Sequence, residues 1–270
     1  MQQTTKIIQK RYEGFLQTNF LWKNNSVYEL HPFKIVATSS KIDIIIDEKL
    51  RLGKYVERFV SYQLQQEHNI SIICENIQIQ REKITLGELD CIVLRDEKTI
   101  HLEIIYKFYL YDNSVGETEI EHFIGPNRKD SLVDKLKKLK EKQLPLLYSK
   151  ECAAYLKSVS LNIDEIEQQV YFKAQLFVPF SEENYVFKEL NPECVIGFYI
   201  NKKELNLFKD CKFFIPNKKD WLIIPHKNVE WINFHPFKEK SSEYLERAFS
   251  PLCWMKKSNG EIKKLFLVWW

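Results

Sequence analysis

GELDCIVLRDEKTIHLEIIYK, residues 87–107, is the stretch on which the reading of the chain turns. It divides into two β-strands around the charged turn Arg95-Asp96-Glu97-Lys98. Side chains alternate along a strand, so Glu88 and Asp90 share one face of the first strand, and His101, Glu103, Ile105 and Lys107 one face of the second. Leu89, Cys91, Leu102, Ile104 and Tyr106 take the opposite faces. Acids set among Ile, Leu and Val are unfavourable unless something pairs with them. The stretch therefore predicts two neighbouring strands that gather carboxylates and a lysine for a chemical purpose.

Upstream, ISIICENIQIQ (70–80) reads as a further strand by its β-branched content. Residues 44–68 read as a helix, with Leu50, Val56, Phe59, Val60 and Leu64 at helical spacing. Gly53 weakens that helix by about 1 kcal/mol if interior, and close approach to a neighbour would explain it. Glu57 follows on the same side, where Lys54 or Arg58 would pair with it on an exposed face. Residues 1–43 form an N-terminal helical extension, with a helix through Ile7, Tyr12, Phe15 and Leu16 and a loop holding Asn24-Asn25-Ser26 and His31-Pro32.

Downstream, a polar loop with Gly116 and Gly125-Pro126 leads to a second helix with Asp130 as N-cap. Val133, Leu136, Leu139, Leu144 and Leu147 form its apolar stripe, and Pro145 ends or kinks it. From residue 128 to 142 there are seven basic and three acidic residues, a net of +4. Such a run is either a solvated face or a phosphate-binding ridge. QVYFKAQLFVPF (169–180) reads as a fourth strand, with Lys173 and Gln175 on one face. Beyond it come the strand-like runs VIGFYI, KFFIP, WLIIP and VEWINF, a helix near 242–249, and a terminal hairpin turning at Asn259-Gly260. The expected organisation is an extension over 1–43, a core over 44–180, and a β-rich region over 181–270 packed on the core.

The 270 residues are 44% apolar, enough for a sizeable core. Seven glycines leave little room for a Gly-rich phosphate loop, and a net charge of +3 argues for no partner. The six cysteines show no Cys-x-x-Cys spacing, so no zinc or iron–sulfur site is read. The start has no apolar run of signal-peptide length, and no stretch approaches the roughly 20 apolar residues that span a bilayer. The expectation is a soluble, reduced, cytoplasmic protein without membrane contact.

Phosphodiester hydrolysis needs a divalent cation, a placed water and charge neutralisation at the phosphate. Mg²⁺ is held by one or two carboxylates plus waters and substrate oxygens. Asp90 and Glu103 supply two carboxylates, Glu57 a third from the helix, and Lys107 a cation near the attacking water. Glu88 reads otherwise as a solvent-facing strand residue, and His101 as structural or exposed.

The order of helix, three strands, helix and strand, with an acid in the second strand and Glu plus Lys in the third, resembles the PD-(D/E)XK nuclease superfamily. The resemblance is most specific to an uncharacterised bacterial family of unknown function assigned to that superfamily. It is carried by LGKYVERFVSYQL (52–64), ENIQI (75–79), LGELDCIVL (86–94), HLEIIYKFYLY (101–111) and GPNRKDSLVDKLKKLKEKQL (125–144). It implies an α/β fold with a restriction-endonuclease-like core and mixed central sheet. It implies a Mg²⁺- or Mn²⁺-dependent nuclease with Glu57, Asp90 and Glu103 as metal ligands, the Ile104 carbonyl joining them, and Asp90, Glu103 and Lys107 as catalytic residues. The partner implied is nucleic acid, DNA before RNA, with Arg128, Lys129, Lys135 and Lys138 on the phosphates. The superfamily places its lysine two residues after the acid; here that position is Ile105, and Lys107, four after the acid, keeps the same face about 7 Å further along the strand. The alternatives are an inactive nuclease-fold module that binds nucleic acid, and a protein-interaction domain suggested by Trp221, Trp231, Trp254, Trp269 and Trp270.

Overall fold

The computed structural model describes residues 2–23, 26–36, 39–181 and 185–270; Asn24 and Asn25 of the expected loop lie outside the described residues. In chain order the elements are α1 (Gln2–Gln17), α2 (Leu52–Gln66), β1 (Ile70–Arg81), β2 (Ile84–Arg95), β3 (Lys98–Tyr111), β4 (Phe123–Ile124), α3 (Leu132–Lys138), α4 (Lys150–Ser158), β5 (Ile166–Pro179), β6 (Val195–Asn201), β7 (Lys212–Phe214), α5 (Phe234–Glu246), β8 (Leu252–Lys256) and β9 (Ile262–Val268). The protein is thus mixed α/β, with strands in the order β1-β2-β3-β5-β6-β9-β8-β7 and β4 paired to β3. Two compact units share these elements: residues 20–106 with 134–173, and residues 1–19 with 107–133 and 174–270.

In the first of these, the α2 unit, β1, β2 and β3 form an antiparallel meander. The expected turn is present, with Arg95 paired to Lys98 across it. Asp96 and Glu97 both take positive φ, 48° and 68°. That double left-handed turn matches the twist of the flanking strands, but it is unfavourable for residues with a Cβ. Glu97→Gly should therefore stabilise the protein by about 0.5 kcal/mol, read as a higher denaturation midpoint at unchanged m-value.

Helix α2 forms on the anticipated stripe, and Val56, Phe59, Val60 and Leu64 are all buried. It begins at Leu52 rather than near residue 44. The preceding Ile44-Ile45-Ile46 run is β-branched and poor at starting a helix, and Ile45 stands exposed. Gly53 is the second residue of the helix, and a Cβ there would meet nothing within 4 Å. No close neighbour explains it.

The basic helix departs from the single element expected. Helix α3 ends at Lys138, widens into a π-turn over Leu139–Gln143, and tightens into a 3₁₀ turn over Leu144–Tyr148. Pro145 has no N–H to give, and its ring collides with the carbonyl four residues back; the widened turn absorbs this. Asp130 is not its cap, since its carboxylate is bound to Lys107. A separate helix, α4, follows, capped by Ser149 accepting the Cys152 N–H at 3.2 Å. Leu147, Cys152 and Leu156 bury against Ile79, Leu89, Ile92 and Ile166.

In the C-terminal unit, β6 runs parallel to β9, and β9, β8 and β7 are antiparallel. Phe213 stacks on Phe237 at 4.0 Å, amid Met255, Leu265 and Leu267. Trp221 and Trp254 are 2% and 1% exposed, so these two indoles are core and not an interaction surface. WLIIP is not a strand: Trp221 and Leu222 close a 3₁₀ turn over Lys218–Leu222. VEWINF gives only the bridge Ile232–Phe213 before α5, which starts at Phe234 rather than near 242. The terminal hairpin turns as expected, with Gly260 at φ 87°. All six cysteines are free. Among the described residues no helix is long and apolar enough to cross a membrane.

Candidate metal centre

Two irregularities in the α2 unit's ladder make the site. In the β1–β2 register, Glu75 pairs with Cys91 and Ile77 with Leu89, which leaves Asn76 facing Asp90. Asn76 sits at φ 54°, a left-handed conformation that asparagine tolerates better than most residues. Its carboxamide oxygen accepts from Lys54 Nζ at 3.1 Å. The β2–β3 ladder runs from Arg95–Lys98 to Cys91–Leu102. Beyond that, the Ile104 N–H donates to Asp90 Oδ2 at 3.0 Å instead of to a backbone carbonyl. A side chain has replaced one rung, which holds Asp90 rigidly by one oxygen.

The first turns of α2 bring Lys54 and Glu57 to the same place. Lys54 Nζ lies 2.6 Å from Glu88 Oε1, 2.8 Å from Glu57 Oε2 and 4.0 Å from Asp90 Oδ1. One carboxylate oxygen from each of Glu57, Glu88 and Asp90 lies within 4.8 Å of the other two. Glu103 is fully buried beside this group. Its Oε2 accepts from Gln143 Nε2 at 2.6 Å, and Gln143 Oε1 accepts from Lys135 Nζ at 2.7 Å. Its Oε1 has no hydrogen-bond partner among the described residues. His101 Nε2 lies 3.4 Å from that oxygen. The Gln168 amide contacts His101 Nδ1 at 3.0 Å, which makes Nδ1 the acceptor and leaves the ring proton on Nε2.

The electrostatics follow from burial. Burial pushes the Asp90 carboxyl up to about 6, with the charge of Glu103 adding to it. Burial also raises Glu103, against the opposing pull of Lys135, and raises Glu57 against a hydrogen bond from Lys54. Burial alone would lower Lys54, but the carboxylates of Glu57 and Glu88 outweigh it and hold the ammonium above its ordinary range. Burial lowers His101 to about 4, so it is neutral at pH 7 and its contact with Glu103 is not an ion pair. Four acids face two ammonium groups, and burial makes Glu57, Asp90 and Glu103 hold their protons more readily than free carboxyls do. A divalent cation would relieve the same excess charge. The oxygen ligands, their spacing and the unpartnered Glu103 Oε1 suit a hard cation such as Mg²⁺ or Mn²⁺.

Of the residues singled out in the sequence as metal ligands, Glu57 and Asp90 belong to the group of three, which Glu88 completes, while Glu103 lies outside that group, close enough for its charge to act on Asp90. Lys135 reaches the centre through Gln143 and is half-buried. Lys107 lies in the C-terminal unit, bound to Asp130 Oδ2 at 2.6 Å. The lysine among the acids is Lys54. Arg128 Nη2 forms an ion pair with the buried Asp112 at 2.8 Å, and its guanidinium stacks 4.3 Å over the Trp270 ring. Arg128→Ala should cost about 2 kcal/mol of stability, by leaving a buried carboxylate unpaired, measured by denaturant unfolding. Lys129 and Lys138 are exposed. The sequence offered Lys54 only as an ordinary helix partner of Glu57; Asn76 and Gln143 carried no signal at all.

A family model described as a domain of unknown function, DUF1853, matches residues 24–268. No curated protein and no solved structure matches the chain.

Proposed function

The chain belongs to the DUF1853 family, and from that premise we propose that it is a metal-dependent nuclease hydrolysing phosphodiester bonds of nucleic acid, DNA before RNA. The observation that carries the reading is the convergence of Glu57, Glu88 and Asp90 around Lys54. The fold's part in this proposal is a restriction-endonuclease-like core made of α2, β1, β2, β3, the α3 region and β5. Glu57, Glu88 and Asp90 would hold Mg²⁺ or Mn²⁺, with Glu103 next to them. When bound, such an ion supplies an activated water and neutralises phosphate charge.

The chain's own residues divide the remaining work. Asp90 Oδ2 is fixed by the Ile104 N–H, so Oδ1 keeps one direction. Glu57 and Glu88, whose oxygens now hold Lys54 at 2.8 and 2.6 Å, would hold the cation, and Lys54 beside them would neutralise charge developing on the phosphate. Gln143, itself held by Lys135, fixes the Glu103 carboxylate.

A second reading rests on the same lysine. An ammonium bound to two acids already balances much of the cluster, as a module that binds nucleic acid without cutting it would require. Turnover assays on single- and double-stranded DNA and RNA with Mg²⁺ or Mn²⁺ separate the two. The nuclease reading expects cleavage that EDTA stops and that Glu57→Gln lowers at least about a hundredfold. Retention of nucleic acid with no turnover in either metal would favour the second reading. Cleavage unchanged in Glu57→Gln would remove the cluster from the chemistry.

A further inference from the structure

The C-terminal unit contains a cavity of about 700 Å³, a volume ordinary for a small-molecule site. Its walls include Phe180, Phe198, Phe208, Leu222 and Met255, and its lining also includes Thr18, Gln175 and Lys264. Three of its apolar lining residues, Phe180, Ile196 and Ile224, remain 38–39% exposed. The cavity thus offers apolar surface that a ligand would cover.

Lys264 is the anomaly. It is on β9 and only 5% exposed. Its Nζ donates to Gln175 Oε1 at 3.1 Å and to the Trp221 carbonyl at 2.7 Å. Both acceptors are neutral. An ammonium has three N–H donors, so one is left without a partner among the described residues. No carboxylate pairs with Lys264 there either. Burial alone lowers its pKa, to about 7, with no acid opposing it. A buried cation without a counter-ion is unfavourable unless a ligand brings the missing charge. Gln175 is held in turn by donating to Thr18 Oγ1 at 3.3 Å, so the amide that positions the ammonium is itself anchored.

The other lysines of the lining do not duplicate this role. Lys257 and Lys263 are both bound to Glu261, at 2.8 and 3.1 Å. Those two share one carboxylate at the solvent-exposed edge, whereas Lys264 is the buried lysine of the lining without a counter-ion among the described residues, and against apolar walls it fits one negative charge on an apolar body. We propose that this cavity binds a monoanionic amphiphile, a carboxylate with a hydrocarbon or aromatic body, whose head group rests on Lys264. The inference is independent of the nuclease reading, because every residue it uses belongs to the C-terminal unit.

The test is isothermal titration of the full chain with decanoate, with decanol and decyltrimethylammonium as comparison probes of the same chain length. Decanoate should bind, and decanol at least about tenfold more weakly, the usual worth of a hydrogen bond to a charged group. Lys264→Met should bring decanoate down to the decanol level. Ile196→Trp, at a partly exposed lining position, should weaken both by filling the entrance; it keeps the test decisive if Lys264→Met does not fold. Equal affinity for decanoate and decanol would overturn the assignment of the head group. Absence of decanoate binding, or binding that neither substitution weakens, would overturn the site.

Discussion

Asp90→Asn should lower metal-dependent cleavage by about a thousandfold and, at the same time, raise the melting temperature of the metal-free protein at pH 8. The first effect follows from losing a carboxylate that faces the cation and is pinned by the Ile104 N–H; removal of one well-placed electrostatic group from an active site has effects of about this size. The second follows from linkage. The carboxyl of Asp90 titrates near 6 in the native protein, against an ordinary value of 3.8, through burial and the charge of Glu103. An acid with a raised native pKa favours folding by holding its proton. That contribution is complete at low pH, fades as pH rises from about 4 to about 6, and is gone above. At pH 8 the native state therefore carries an ionised, poorly solvated Asp90, an unfavourable contribution of about 3 kcal/mol. The asparagine is isosteric, can still accept from the Ile104 N–H, and carries no charge. Thermal unfolding in EDTA should show the mutant more stable at pH 8 and level with the wild type near pH 4. Mn²⁺ should stabilise the wild type and leave the mutant unmoved, since only the wild type has the full ligand set to link binding to folding. A mutant that is less stable at pH 8, or equally responsive to Mn²⁺, would contradict the proposed centre.

Lys54→Met should separate cation binding from catalysis. The ammonium competes for the oxygens of Glu57 and Glu88 at 2.8 and 2.6 Å. Removing it takes away a positive charge a few ångströms from the site, and divalent affinity should rise about tenfold. Turnover at saturating metal should fall about a hundredfold, because the charge meant for the phosphate is gone. Calorimetry with Mn²⁺ and a single-turnover cleavage assay check the two halves. The companion variant is Lys107→Met, which should leave turnover near the wild-type value because the Lys107 ammonium is engaged by Asp130 at 2.6 Å. If Lys107→Met abolishes cleavage and Lys54→Met does not, the lysine of the site is Lys107.

Much of the α2 unit was readable along the chain. The meander β1–β2–β3 and its turn followed from alternation and charge, and the core face of α2 from its 3.6-residue stripe. Both are local patterns, set by which way successive side chains point. Reading failed where a distant contact competed with a local preference. Asp130 is a good cap by type, yet it serves Lys107. Pro145 announced a break in the basic helix, but whether the chain stops, kinks or rewinds through a π-turn depends on what Leu139 and Leu147 must reach in the core. WLIIP looks like a strand by composition; its Trp221 instead packs edge-on against Phe108 and Phe266.

The site divides along the same line. From the sequence alone came the identity of the acids and the faces they occupy: Glu88 with Asp90 on one strand, Glu103 on the next, Glu57 on the helix. Only the folded chain decided that Lys54 stands among them, that Glu103 is sealed from water, and that Asn76 and Gln143 belong to the group. The physical reason is that alternation is a property of one strand, whereas convergence depends on where pairing ends. The β2–β3 pairing ends here, where an Asp90 oxygen takes the amide of Ile104, and the β1–β2 pairing runs on past a left-handed Asn76 opposite Asp90; neither event is written in the spacing of the residues.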